Sequence, residues 1–157
     1  TALETLYHAT QAPLYAYLLS LLKNSTDARD ALQDTYLDVF TSAGRYRPEG
    51  HSRAWLYAIA KKQALMTYRR KLRGEVSEEE TGPEPWEDPS LCREERMVLS
   101  AALQILSEEE RQIVTLHAVS GFRFREIASF LELPLNTVLS KYHRAMKKLG
   151  KAAEEAE

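Results

Sequence analysis

The chain has 157 residues, 44% of them hydrophobic, with 21 basic and 23 acidic side chains and a formal net charge of −2, which fits one medium globular domain or two small ones and excludes disorder throughout. No apolar run reaches the roughly 18 to 20 residues of a membrane-crossing helix, and no charged-then-apolar leader opens the chain, so a cytoplasmic location without membrane insertion is expected. The single cysteine, Cys92, excludes an internal disulfide and cannot build a zinc site alone; it reads as a buried or half-buried apolar residue.

The first predicted helix carries Leu3, Leu6, Leu14, Leu18, Leu21 and Leu22 on one stripe, interrupted by Pro13. The chain starts inside this helix, a beginning consistent with residues removed upstream of Thr1. A second helix is predicted over 27–43, with Asp27 as its cap and Ala28, Ala31, Leu32, Thr35, Tyr36, Val39 and Phe40 facing inward. Away from that stripe it presents Asp30, Gln33, Asp34, Leu37 and Asp38. Such a face is either simply solvated or a docking surface whose carboxylates meet arginines of a protein partner.

Residues 44–51 then run Gly-Arg-Tyr-Arg-Pro-Glu-Gly-His, a composition that forbids regular structure and makes a basic, aromatic loop. A third helix follows a Ser52 cap, with Trp55, Ile59, Leu65, Tyr68 and Leu72 as its inward face. Between 61 and 73 it holds Lys61, Lys62, Arg69, Arg70, Lys71 and Arg73 and no acid. Aromatic rings beside cations suit single-stranded nucleic acid, because an unstacked base can lie on a ring while lysine and arginine hold phosphates. Trp55 and Tyr68 serve core packing equally well on this pattern, so Arg45, Tyr46, Arg47 and His51 of the loop, with Lys61, Lys62, Arg69 and Arg70, are the candidates for contact.

Residues 74–90 hold Pro83, Pro85, Pro89, Gly74, Gly82 and most of the chain's densest acid, too little apolar surface to fold alone. The expected organisation is therefore all-α: a helical domain over 1–73, a flexible acidic linker over 74–90 and a second helical domain over 91–157. In that second half Ser107 and Glu110 form a capping box opening a short helix through Ile113, Val114 and Leu116 that ends near Gly121. A second short helix over 124–131 follows. Pro134 then sits where a longer helix begins, and Val138, Tyr142, Ala145 and Leu149 give its inward face.

Short helix, tight turn and longer basic helix make a helix-turn-helix, whose last helix reads duplex DNA through residues opposite its core stripe. Those are Asn136, Thr137, Ser140, Lys141, His143, Arg144 and Lys147, with Arg125 on the helix before. Asn, Lys and Arg can bond base edges; Ser and Thr can bond base or phosphate. A basic helix that is only solvated is the alternative, and the preceding helix and turn weigh against it. The sequence holds no Gly-rich phosphate loop and no nucleophile motif, and His8, His51, His117 and His143 lack metal spacing. Neither enzyme activity, nor a cofactor, nor a metal is expected.

Four stretches resemble one family. Residues 27–36, Asp-Ala-Arg-Asp-Ala-Leu-Gln-Asp-Thr-Tyr, and 53–60, Arg-Ala-Trp-Leu-Tyr-Ala-Ile-Ala, are similar to two consecutive signatures of the extracytoplasmic-function (ECF) bacterial sigma factors. Residues 121–128, ending Glu-Ile-Ala, and 134–145, from Pro134 to the His143-Arg144-Ala145 tail, resemble that family's helix-turn-helix. The resemblance covers nearly the whole chain. It implies a first domain that docks on core RNA polymerase through Asp30, Gln33, Asp34, Leu37 and Asp38 and captures the minus-ten element, with a flipped base in the 44–51 loop. It further implies a second domain that reads the minus-thirty-five element, and an anti-sigma factor as regulatory partner. Lys62 and Met66 replace the family's usual Asn and Asp, and Leu139 and Met146 its usual basic residues. A sigma mimic that only binds an anti-sigma protein, and a conventional helix-turn-helix regulator, are the rival readings.

Overall fold

A computed structural model describes residues 2–42, 52–74 and 92–155. Loop residues Arg45, Tyr46, Arg47 and His51, and the linker beyond Gly74, lie outside the described residues. All described regular structure is helical: α1 (Ala2–Leu22), α2 (Ser25–Ser42), α3 (Ser52–Leu72), α4 (Arg93–Ile105), α5 (Glu108–Val114), α6 (Phe124–Leu131) and α7 (Leu135–Glu155). The chain divides into two compact units, Thr1–Pro85 and Trp86–Glu157. Among the described residues no helix is long and apolar enough to cross a membrane.

In the first unit α1, α2 and α3 pack around a core in which α1 supplies a run of large side chains and α2 and α3 mix large ones (Tyr36, Val39, Leu56, Tyr57) with alanines. α1 supplies Leu14, Tyr17, Leu18 and Leu19, all fully buried. α2 and α3 answer with Ala28, Ala31, Ala60 and Ala64, which let the helices approach closely, while Tyr17 and Tyr57 meet across the core with centroids 5.3 Å apart. Pro13 does not interrupt α1, which runs through it. A proline inside a helix forfeits one backbone bond. Burial of Ala12 and of the unbroken run from Leu14 to Ser20 outweighs that loss.

The structure differs from the expected pattern at the start of α2, along α3 and at Phe40. The cap of α2 is Asn24, whose Oδ1 accepts the Asp27 N–H at 3.0 Å, after Lys23 turns the chain with a left-handed φ of 55°. Asp27 is instead buried, with Lys71 of α3 as its ion-pair partner. The inward face of α3 is Leu56, Tyr57, Ala60, Ala64 and Thr67; Leu65, Tyr68 and Leu72, expected inside, are 49%, 56% and 71% exposed. Leu56 and Tyr57 fill the core near the start of α3, the close fit further along admits Ala60, Ala64 and Thr67, and Leu65, Tyr68 and Leu72 fall on the other side of the helix. Phe40, expected on the inner stripe of α2, is also exposed.

The second unit opens with α4, a helix the sequence reading did not assign. Its buried Leu99, Ala102 and Leu103, with Leu106 beyond its end, repeat at helical spacing, and the Glu95 carboxylate accepts the Cys92 N–H at 3.1 Å to cap it. Cys92 is exposed, because it stands at that cap rather than in the core. α5 begins at the Ser107–Glu110 capping box as expected. Buried Arg111 closes the turn between α4 and α5 by donating to the Leu106 carbonyl at 2.8 Å. Past Val114 the helix widens into a π turn, Thr115–Val119, and ends at Gly121, whose φ of 74° suits glycine.

Candidate nucleic-acid interface

α6 and α7 are joined as a helix-turn-helix. α6 ends where Glu132 adopts φ 57°, and the Leu133 N–H returns to the Ala128 carbonyl at 2.9 Å. Pro134 supplies the carbonyl that accepts the first bond of α7, from Val138 at 3.1 Å. The pattern Val138, Tyr142, Ala145 and Leu149 faces inward: Val138 and Ala145 are fully buried, and Tyr142 and Leu149 pack half-buried against the cluster of Ala102, Leu106, Val114 and Ala145. Burying a valine side chain in this way contributes about 1.5–3 kcal/mol.

An aromatic group fixes how α7 stands on the π turn. His117 stacks on Phe124 with centroids 4.1 Å apart and meets Tyr142 edge-on at 5.1 Å, and its Nδ1 bonds the Phe122 carbonyl at 2.9 Å. Phe124 completes the triangle with Tyr142 at 4.8 Å. No metal or catalytic spacing marks His117 in the sequence. Its contacts with Phe122, Phe124 and Tyr142 make it a residue that orients α7.

With the core stripe anchored, the opposite arc of α7 faces solvent. Asn136, Ser140, His143, Arg144 and Lys147 are exposed and Thr137 and Lys141 half-buried; on α6, Arg125 is exposed. Asn136, Thr137, Ser140, Lys141 and Arg144 line one shallow concavity. Hydrogen-bond donors and acceptors with two cations on a convex helix can enter a DNA major groove and bond base edges. Lys141 has a partner already, Glu109 of α5 at 3.0 Å, and Lys148 reaches Glu110 at 2.8 Å. Burial works to raise the Glu110 carboxyl, but the Lys148 bond, the Ser107 amide and hydroxyl, and the Lys148 charge outweigh it and hold the group below the usual carboxylate value.

In the first unit the outer face of α3 aligns Lys61, Leu65, Tyr68, Arg69 and Leu72, all exposed. Tyr68, allowed equally for the core by sequence alone, therefore stands among the cations with a ring open to solvent. Lys62 is exposed but leans on Asp38 of α2 at 3.4 Å, and Arg70 turns toward Thr67 of its own helix, also at 3.4 Å. On α2, Asp30, Gln33 and Leu37 are exposed and Asp34 half-exposed. Asp38 differs from these. It accepts bonds from Ser42, Lys62 and Gln63, and although burial opposes it, those bonds and the Lys62 charge hold its carboxyl below the usual value.

Comparison with known proteins agrees with this geometry unit by unit. Residues 6–74 match the family model for Sigma-70 region 2, and residues 96–149 that for Sigma-70, region 4. RNA polymerase sigma factor CarQ of Myxococcus xanthus is 31% identical over 99% of this chain and 91% of its own length. ECF RNA polymerase sigma factor SigE of Mycolicibacterium smegmatis is 35% identical over 90% of this chain, which spans 57% of SigE. In fold, the sigma factor RpoE of Bartonella quintana, solved in complex with the anti-sigma factor NepR, aligns with a TM-score of 0.74 at 22% identity over 96% of each chain. The chain belongs to the ECF family of RNA polymerase sigma factors.

Proposed function

We propose that this chain binds core RNA polymerase and directs it to promoters, acting by position and selective binding with no chemistry of its own. The observation that carries the reading is the outward face of α7, where Asn136, Thr137, Ser140, Lys141 and Arg144 share one concavity on a helix-turn-helix. Residues 91–157 read the minus-thirty-five element as duplex through that face, with Arg125, His143 and Lys147 on phosphates or flanking bases. Residues 1–73 hold the minus-ten element: Lys61, Lys62, Arg69 and Arg70 beside the separated strand, Arg45, Tyr46, Arg47 and His51 around a flipped base, and Tyr68 as a stacking surface. Residues 74–90 tether the two.

Docking on the polymerase is assigned to α2. Asp30 and Asp34 offer carboxylates, and Gln33 an amide, around the exposed apolar Leu37, which gives orientation as well as attraction. Asp38 has a different part, holding α3 against α2 through Lys62 and Gln63. The chain acts in the cytoplasm, and an anti-sigma protein, of the kind solved with RpoE of Bartonella quintana, is its regulatory partner.

Two substitutions test the assignments separately. Asp34→Arg should lose core polymerase in a pull-down while keeping its helix content. Arg144→Ala should retain the polymerase but weaken minus-thirty-five-dependent run-off transcription by the roughly 1–3 kcal/mol of one base contact. Full retention of core by the first, or unchanged promoter dependence in the second, overturns the corresponding role.

A further inference from the structure

α5 opens with three adjacent acids, Glu108, Glu109 and Glu110; the last two meet lysines of α7, but the pairs differ in kind. The Glu110 side chain is 7% exposed, takes Lys148 at 2.8 Å and accepts the Ser107 N–H at 3.1 Å. That clasp already ties α5 to α7. Glu109 is 43% exposed and stands 3.0 Å from Lys141, itself 29% exposed. A pair so open to water adds little to stability. Its place is the informative feature, because Lys141 lines the concavity with Asn136, Thr137, Ser140 and Arg144.

A lysine is a compact charge on a flexible stem, and beside DNA it turns readily to the nearest phosphate. Phosphate contacts hold a protein on DNA without distinguishing sequence. A carboxylate 3.0 Å away offsets that attraction, restricts where the ammonium can sit, and repels any phosphate that approaches out of register. We propose that Glu109 is a specificity-determining positioning residue: it holds Lys141 toward base edges and suppresses indiscriminate binding by the same cation. The inference rests on the reading of α7 as the duplex reader.

The test uses the full chain and two duplexes of equal length, one selected by the parent chain from a randomised pool and the other its scrambled counterpart. Binding is followed by fluorescence anisotropy across a salt series. Glu109→Gln should tighten the scrambled duplex and steepen its dependence of log affinity on log salt by about one, the signature of one more phosphate contact. It should also lower the preference for the selected duplex about tenfold, the scale of one lost base contact. Glu109→Asp should restore most of that preference. A merely structural role would weaken both duplexes alike with the salt slope unmoved, and that result, or an unchanged preference, overturns the proposal. Arg144→Ala run in parallel separates the two levels. Loss of preference there but not in Glu109→Gln removes the role of Glu109 alone; no preferred duplex from the pool removes the reading of α7 and this proposal with it.

Discussion

The ion pair between Asp27 and Lys71 joins the start of α2 to the end of α3, and it makes an unequal prediction for its two halves. The Asp27 side chain is 9% exposed and that of Lys71 25%. Lys71→Met leaves a carboxylate in the interior without its cation, a class of change that costs about 3–5 kcal/mol, and the partial exposure of the lysine places it near 3. Asp27→Asn removes the charge instead, and adds the roughly 0.3–1 kcal/mol that an acid contributes in the first turn of a helix. The double variant should recover about 2 kcal/mol relative to the sum of the single changes, since neither uncompensated charge is left. Against a total domain stability of about 5–15 kcal/mol these effects are large. Urea unfolding reads them from Trp55 fluorescence in a Trp86→Phe background, where Trp55 of α3 is the one remaining indole. If Lys71→Met costs less than about 1 kcal/mol, or the two losses simply add, the pair does not bind α2 to α3 as argued.

Leu116 is fully buried in the second unit, and Leu116→Ala should destabilise it by about 2–5 kcal/mol in thermal unfolding; a loss below 1 kcal/mol would show that the site is not packed as described. Glu110 has a lowered carboxyl in the folded chain, so the stability it contributes is present above the ordinary carboxylate value of 4.5 and is lost as pH falls through the lower folded value. Glu110→Gln should therefore be less stable than the parent at neutral pH and converge with it in acid; parallel pH–stability curves would contradict this. Tyr68→Ala should weaken binding of a single-stranded minus-ten oligonucleotide to the holoenzyme by about 1–3 kcal/mol, the range for one base–aromatic stack, with duplex binding by α7 unchanged.

How much of this was legible in the sequence depended on whether the signal was local. The bounds of α6 and the inner stripe of α7 follow from spacing alone, because short helices with one apolar face carry their orientation in their own residues. The Ser107–Glu110 box is likewise local. α3 shows the opposite case. Leu65, Tyr68 and Leu72 point outward while Leu56, Tyr57, Ala60, Ala64 and Thr67 point inward, since what fits between three close helices is decided by α1 and α2 as much as by α3. Hydrophobicity ranks residues by their cost in water, and close packing ranks them by size.

The candidate site divides in the same way. The outward arc of α7 was readable because it is the complement of the core stripe. The partners of its lysines were not, because Glu109 and Glu110 lie on another helix and nothing in their local pattern points to Lys141 or Lys148. Asp38 shares the outward spacing of the other acids of α2, and only the fold brings Lys62 and Gln63 of α3 to it. His117 had no metal or catalytic spacing to mark it, and only the fold brings it between Phe124 and Tyr142.

The proposed function comes down to one polypeptide making a catalytic polymerase promoter-specific. Purified core RNA polymerase should be mixed with the chain on a pool of bacterial genomic fragments and the 5′ ends of the transcripts mapped. The account predicts discrete start sites, downstream of a shared pair of spaced sequence elements, that vanish with Asp34→Arg. Transcripts with scattered ends, the same with and without the chain, would contradict it.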